Sequence, residues 1–289
     1  MTVFGETIAD GYFSRFEGEL LTSERSPFQK IDVYEHPYFG RVLTLDDLVQ
    51  TTTRDEFSYH EMLVHPALAA RDRVERVLII GGGDGGTLRH VLMHGVQEVV
   101  MCEIDDAVVR LCRELLPQLS DGAFDDPRAK VVIGDGAAFV GEHTDAFDTI
   151  IVDGSDPVGP AVVLFSEDFF TACRRALRDD GVFISQTGSP LFQTDEFKMA
   201  YGNLTASFGR ADPYVSFVPT YPGAIWSYMS ATAGTPLPDA TEDEIAARLR
   251  ARGIDGRLYS PAVHRAAFAL PPFVQDLCET AAPAAVPRG

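Results

Sequence analysis

Residues 77–90 read VLIIGGGDGGTLRH. Branched apolar residues run into six positions of which five are glycine, and a helix-forming segment follows. A strand that ends in a glycine turn and opens a helix is how an α/β chain brings its backbone up to a phosphate or a nucleotide. Asp84 sets a carboxylate in the middle of that turn. The string 81–86 also satisfies G-x-G-x-x-G, which is weak evidence when it stands alone. A pyrophosphate at the helix N-terminus would lie beside Asp84, and like charges ~4 Å apart repel by about 1 kcal/mol in water and by several where partly buried. The turn reads against a dinucleotide and favours an adenosine that carries a positive charge and no phosphate.

Outward from this turn the pattern repeats. VERVLII (74–80), QEVVMCEID (97–105), KVVIGDG (130–136), FDTIIVDGSD (147–156) and GVFISQTG (181–188) are apolar runs separated by segments of helical period. That alternation predicts a parallel sheet wound with helices, an α/β domain. Ligands of such sheets bind at the carboxyl ends of the strands. There the first four strands present acids: Asp84, Glu103, Asp135, and the pair Asp153 and Asp156. Glu103 follows Gly81 at about the 20-residue spacing where a carboxylate takes ribose hydroxyls. Asp135 is then placed to accept from an adenine amino group. An ordinary methyl donor carries an α-carboxylate that Asp84 repels; without it, the remaining aminopropyl ammonium is attracted.

Before the sheet, FQKIDVYEHPYFGRVLTLDDLVQTTT (28–53) alternates apolar and polar residues and breaks at turn residues, the signature of an antiparallel meander. TRDEFSYHEMLVHPALAA (53–70) follows with Thr53 and Glu56 at capping-box spacing, so a helix is expected to link the two parts. The expected organisation is a small β domain with a linker helix over 1–64 and the donor-binding, catalytic domain over 65–289.

The chain has 289 residues, 45% of them apolar, enough for a sizeable core. Lys and Arg number 24 against 43 Asp and Glu, a formal net charge of −19. This charge disfavours a nucleic acid partner and concentrates cations near the surface. No apolar run is long enough to span a membrane, and residues 1–11 lack an export pattern. Cys102, Cys112, Cys173 and Cys278 are scattered without CxxC spacing, as in reduced cytoplasmic proteins. HEMLVH separates His60 from His65 by one residue too many for a zincin helix, and the pair His90 and His94 has no evident third ligand, so no metal site is expected and that pair reads as an exposed helix face.

With FGRVLTLDDLVQTTTRDEFSYHEM, VLIIGGGDGGTLRH, CEID, GDG, DGSDPVGP, PTYPG and HRAAFALP on one chain, the sequence resembles the spermidine synthases, the polyamine aminopropyltransferases. The resemblance covers nearly the whole chain. It implies a Rossmann-like, methyltransferase-type parallel sheet domain preceded by a small antiparallel β domain. It implies transfer of an aminopropyl group from decarboxylated S-adenosylmethionine, a co-substrate rather than a cofactor, to an amine, commonly putrescine, releasing 5′-methylthioadenosine. By position it assigns Gln29, Glu103, Asp135, Gly136 and Pro160 to the adenosine part and Asp84 to the aminopropyl end. Asp153 becomes the proton acceptor, with Tyr12, Tyr59, His60, Asp156, Gln186 and Tyr221 around the amine, and GSDPVGPAVVLF (154–165) becomes a gatekeeping loop. A homodimer or homotetramer is implied, and an exposed-edged meander needs such cover.

Gly154 stands where the family usually has a small polar residue, and Tyr12 where some members have tryptophan; both departures touch the acceptor side. An amine N-methyltransferase, an aminopropyltransferase for cadaverine or agmatine, and a non-catalytic polyamine-binding subunit remain as alternatives. Duller roles also remain open, with Asp153 and Asp156 shaping a turn before Pro157, His60 as a structural histidine, and the tyrosines as core.

Overall fold

A computed structural model describes residues 1–155 and 159–281, apart from the side chains of Gly159 and Pro160. The first five strands, β1 (Thr2–Ala9), β2 (Tyr12–Arg25), β3 (Lys30–His36), β4 (Gly40–Leu45) and β5 (Leu48–Thr52), form an antiparallel sheet in chain order. The meander thus begins well before residue 28. β1 and β2 had no clear period-2 signal because most of their residues face solvent on both sides.

Helix α1 (Glu56–Ala69) follows. Its N-cap is Asp55, not Thr53. Thr53 Oγ1 instead joins the Phe39 carbonyl and the Arg41 N–H on the sheet, and Glu56 turns inward to His60 and Arg89. The capping-box spacing was real, but stronger tertiary partners took both side chains. The expected domain boundary at 64/65 falls inside this helix, which is buried along nearly its whole length.

The second sheet has the order β11-β12-β10-β9-β6-β7-β8. Its strands are β6 (Arg76–Gly81), β7 (Glu98–Glu103), β8 (Ala129–Ile133), β9 (Phe147–Asp153), β10 (Leu177–Gln186), β11 (Asp212–Phe217) and β12 (Ile225–Thr232). The five strands β10, β9, β6, β7 and β8 run parallel, while β12 and β11 add an antiparallel edge that the apolar runs did not disclose. Between the strands lie α2 (Gly86–Leu92), α3 (Asp106–Leu115), α4 (Pro117–Ser120), α5 (Gly136–Gly141), α6 (Glu167–Ala176) and α7 (Thr194–Phe208). α8 (Glu242–Arg252), α9 (Pro261–Ala267) and α10 (Pro272–Thr280) end the described chain.

β6 explains the architecture locally. Val77, Leu78, Ile79 and Ile80 are all buried, because a central parallel strand is covered on both faces. Val77 and Ile79 pack with α1 and α2, whereas Leu78 and Ile80 pack with α6 and α7. The first sheet docks through Ile31, Val33 and Leu43 on Val108, Leu111 and Cys112 of α3. Truncating one such buried leucine costs about 2–5 kcal/mol. That docking roofs the carboxyl edge of the second sheet and encloses a cavity there.

Candidate active site

The chain leaves β6 to build β7 and β8 on one side, then returns to build β9 and β10 on the other. The crevice at this reversal lies between β6 and β9, where Gly81 pairs with Asp153. A cavity of about 690 Å³ opens here, walled by the glycine turn, by Glu103, Asp135 and Asp153, and by the first sheet through residues such as Gln29 and Leu45. Gly81 has φ +83°, and a Cβ on it would stand 2.2 Å from the Asp153 carbonyl oxygen, so no side chain fits. A Cβ on Gly86 would meet the His60 ring at 2.2 Å, which ties the start of α2 directly to α1.

Three of the acids at this edge are held the same way, by the backbone N–H two residues ahead. Asp84 Oδ1 accepts from Gly86 N at 2.8 Å, Glu103 Oε1 from Asp105 N at 2.9 Å, and Asp135 Oδ1 from Ala137 N at 2.8 Å. The Asp84 bond answers the question posed by the glycine turn. An N–H group of the α2 N-terminus that would bind a phosphate already holds the protein's own carboxylate, which leaves a negative group facing the cavity. Burial, with the nearby charges of Asp105 and Asp153, pushes Glu103 up to about 7 despite its backbone hydrogen bonds. Gln29 Nε2 and Ser26 Oγ both donate to Asp105 Oδ2, at 3.0 and 2.6 Å, and so fasten the first sheet to the end of β7. Gly136 starts α5, where a Cβ would lie 2.4 Å from Ile80 Cγ2.

Asp153 ends β9 with both oxygens engaged: Tyr59 Oη donates to Oδ1 and Thr87 Oγ1 to Oδ2, each at 2.6 Å. Burial and the Asp84 charge raise its affinity for a proton, while His60 and the two hydroxyls oppose them. Gln186 Nε2 donates to the Gly154 carbonyl at 2.9 Å, so the residue after the acid contributes through its backbone. The rings of Tyr59 and Tyr221 meet edge-on at 5.7 Å, and Tyr221 lies 4.5 Å from Trp226. The Tyr221 hydroxyl donates to the Gln50 carbonyl.

His60 is buried with Nδ1 2.8 Å from Glu56 and Nε2 3.4 Å from Asp84. Burial disfavours its charge, yet the Asp84 charge and the hydrogen bonds to Asp84 and Glu56 win and raise it to about 10. Donor atoms of His60, Asp84 and Asp153 lie within 4.8 Å of one another. With its two nitrogens facing Glu56 and Asp84, His60 belongs to an ion network around a cation-attracting pocket.

The other histidines depart from expectation. His90 and His94 are buried, not exposed. His65 Nδ1 lies 2.8 Å from His94 Nε2, and His65 Nε2 lies 3.2 Å from His90 Nδ1, a chain under α2 that closes on Arg252. Burial pushes His65 down to about 3 and the other two well below their ordinary value. Their i, i+4 spacing had the right helix face but missed that α1 covers it.

Of the residues singled out from sequence, Gln29, Tyr59, His60, Asp84, Glu103, Asp135, Gly136, Asp153, Gln186 and Tyr221 all line the cavity. Asp156 falls outside the described residues, and Pro160 lies in the short 3-10 helix Gly159–Phe165. Tyr12 is absent from the described cavity wall: it is 44% exposed, and its ring stacks obliquely, 5.5 Å away, on Phe192, which does line it. Sequence reasoning missed Thr87, Asp105, Gln50, Phe192, Trp226 and Glu6. A lone hydroxyl or aromatic ring carries no spacing signature; only the acid two residues past Glu103 offered a signal.

The spermine/spermidine synthase domain model matches residues 56–240, and the spermidine synthase tetramerisation domain model matches residues 18–53. A polyamine aminopropyltransferase of Thermoanaerobacter sp. is 44% identical over 92% of this chain and 94% of its own length. Polyamine aminopropyltransferase 1 of Pseudomonas aeruginosa is 42% identical over 95% of this chain and 96% of its own. Among solved structures, a spermidine synthase in complex with the transition state analogue AdoDATO superimposes with a TM-score of 0.92 at 38% identity, covering 96% of this chain and 95% of that one. Spermidine synthase from Thermotoga maritima superimposes with a TM-score of 0.89 at the same identity, covering 96% and 94%.

Proposed function

The chain belongs to the spermine/spermidine synthase family of polyamine aminopropyltransferases, and from that premise we propose that it makes spermidine from putrescine, with decarboxylated S-adenosylmethionine as donor. The observation that carries this reading is Asp84, a carboxylate seated on a helix N-terminus and facing the cavity. It attracts the donor's aminopropyl ammonium and repels the α-carboxylate of ordinary S-adenosylmethionine, which also disfavours the N-methyltransferase reading.

In this scheme Glu103 takes the ribose hydroxyls, Asp135 and Gly136 meet the adenine, and Gln29 and Pro160 complete the adenosine pocket. The amine enters between Tyr59 and Tyr221, with Gln186, His60 and Asp156 about its reacting end and Tyr12 behind Phe192. A primary amine has a pKa of about 10 and arrives protonated. It gives one proton to Asp153, and its freed lone pair attacks the methylene carbon beside the sulfonium. As the C–N bond forms the C–S bond breaks, and the electron pair returns to sulfur, which leaves as the neutral thioether 5′-methylthioadenosine. A sulfonium needs no Lewis acid to depart, so neither metal nor cofactor enters the scheme. Alignment of the two substrates contributes at least as much as the base.

Tyr59, Tyr221, Trp226 and Phe192 line the cavity with aromatic rings, a sleeve suited to the methylene chain of a linear diamine. One additional methylene changes such binding by only about 1–3 kcal/mol, so cadaverine is used as a second acceptor. Spermidine, longer by an aminopropyl arm, is a poor one. The exposed apolar residues Val3, Phe13, Leu20 and Leu21 on β1 and β2 support self-association as a homodimer or homotetramer, which light scattering tests. No helix among the described residues is long and apolar enough to cross a membrane, and the acidic chain disfavours nucleic acid; we place the enzyme in the cytoplasm.

The deciding experiment is mass spectrometry of products from purified protein, the decarboxylated donor and a panel of putrescine, cadaverine, agmatine and spermidine. Spermidine formed from putrescine with the highest kcat/KM is expected. A methylated amine from S-adenosylmethionine would overturn the reaction, and agmatine or spermidine used tenfold better than putrescine would overturn the acceptor.

A further inference from the structure

Thr87 is the second residue of α2 and is fully shielded from solvent. A threonine in mid-helix commonly turns its hydroxyl back to the carbonyl one turn earlier. In the first turn no helical carbonyl precedes it, and the hydroxyl reaches instead across the crevice to Asp153 Oδ2 at 2.6 Å. Tyr59 grips the other oxygen from α1 at the same distance. The carboxylate is therefore held by two neighbouring helices, α1 on one oxygen and α2 on the other. An ionised carboxylate only accepts hydrogen bonds and has about four lone-pair sites, so each oxygen keeps room for an amine proton.

We propose that Thr87 is a positioning residue for aminopropyl transfer: its hydroxyl orients the Asp153 carboxylate and holds it in the ionised form that receives the amine's proton. This rests on the reading of Asp153 as proton acceptor. Such help is needed because the charged groups around Asp153 are divided. Asp84 from the glycine turn and Glu103 from β7 repel its charge, His60 from α1 favours it, and the phenols of Tyr59, Tyr221 and Tyr228 are held neutral by burial. With burial added, the repulsive side prevails and Asp153 holds a proton more tightly than an ordinary carboxylate; a short neutral hydroxyl donor limits that rise without bringing a cation that would compete with the amine. A hydrogen bond to a charged group is stronger than one between neutral groups, and losing this one corresponds to roughly a tenfold to hundredfold change in the proton affinity of Asp153.

The test is the pH profile of kcat for wild type, Thr87→Val, Thr87→Ser and Asp153→Asn. Thr87→Val keeps the shape and removes the donor, and is expected to move the acid limb upward by about one to two units. Activity on that limb then falls at least about tenfold, with a smaller loss on the alkaline plateau. Thr87→Ser restores the donor and is expected to return the limb to within a few tenths of a unit of wild type. Should Thr87→Val fail to fold, judged by thermal denaturation, Thr87→Ala reports the same shift. An unmoved limb in a folded Val or Ala variant, alongside an inactive Asp153→Asn, overturns the role of Thr87 and leaves Asp153 as the base. Asp153→Asn retaining more than a tenth of wild-type kcat overturns both.

Discussion

The two halves of the cavity are built on different plans. At the donor half, Asp84, Glu103 and Asp135 stand at successive strand ends, each locked to an N–H two residues on, so their carboxylates are as fixed as the sheet. At the acceptor half the walls come from dispersed segments: Tyr59 from α1, Gln50 from β5, Phe192 from the stretch after β10, Tyr221 from the turn before β12 and Trp226 from β12 itself. One half selects by charge at set positions and the other by the shape of an aromatic sleeve. The difference teaches where specificity can drift, since sleeve residues can change one at a time without disturbing the sheet edge.

Asp153 is the hinge between the halves, and its loss breaks the comparison most sharply. Asp153→Asn is expected to bind 5′-methylthioadenosine within a few-fold of wild type, because the donor acids remain. Its kcat should fall about 10²–10⁴-fold, the usual contribution of a general base. Calorimetry beside single-turnover kinetics checks both; parallel losses of binding and turnover would mean that the halves are not separable at this residue.

The next largest effect is expected at Asp84. Wild type should bind decarboxylated S-adenosylmethionine much more tightly than the carboxylated form, and Asp84→Asn should narrow that ratio by about 10- to 100-fold. Charges a few ångströms apart in a partly screened site interact by a few kcal/mol, which sets that scale. Equal affinities for the two donors in wild type would remove charge from the account of the donor half.

The same contrast governs what could be read from the sequence. The parallel sheet and its acids were legible because buried strands show as unbroken apolar runs and the topology makes their ends converge. The acceptor half was only partly legible: Tyr59 and Tyr221 are single rings, and Thr87 became a candidate only when its partner across the crevice was visible. Local spacing misled where tertiary contacts overrode it. Thr53 and Glu56 have capping-box spacing and cap nothing together, and His90 and His94 look like a surface pair until α1 is laid over them.

A pH effect sharpens the donor half further. Burial raises Glu103 to about 7, so before a nucleoside binds it is largely protonated at pH 6 and ionised at pH 8. If the ionised form is the one that accepts from both ribose hydroxyls, affinity rises with pH through about 7 and levels off above it. For 5′-methylthioadenosine, which is uncharged and leaves Asp84 out of the comparison, the expected gain from pH 6 to pH 8 is about tenfold, one titrating group's worth. Glu103→Gln should flatten that slope while lowering affinity throughout. A flat wild-type profile would mean that Glu103 is already ionised, or that its protonated form serves the ribose equally well.

The smallest effect is expected at Tyr12, and it tests how far the acceptor half extends. The resemblance placed this residue beside the amine, but its ring is half exposed, is absent from the described cavity wall and meets that wall at Phe192. An aromatic pair of this kind contributes about 0.5–1.5 kcal/mol beyond its buried area. Tyr12→Ala should therefore act indirectly, by loosening Phe192, and raise KM for putrescine and cadaverine by only about threefold with kcat and donor KM little changed. Phe192→Ala, which removes the wall itself, should raise diamine KM several times more. If instead Tyr12→Ala raised diamine KM by more than tenfold and Phe192→Ala did not, the amine would be reaching β2, and the sleeve would extend into the first sheet. The two halves would then share that sheet as a common roof, with Gln29 serving the donor and Tyr12 the acceptor.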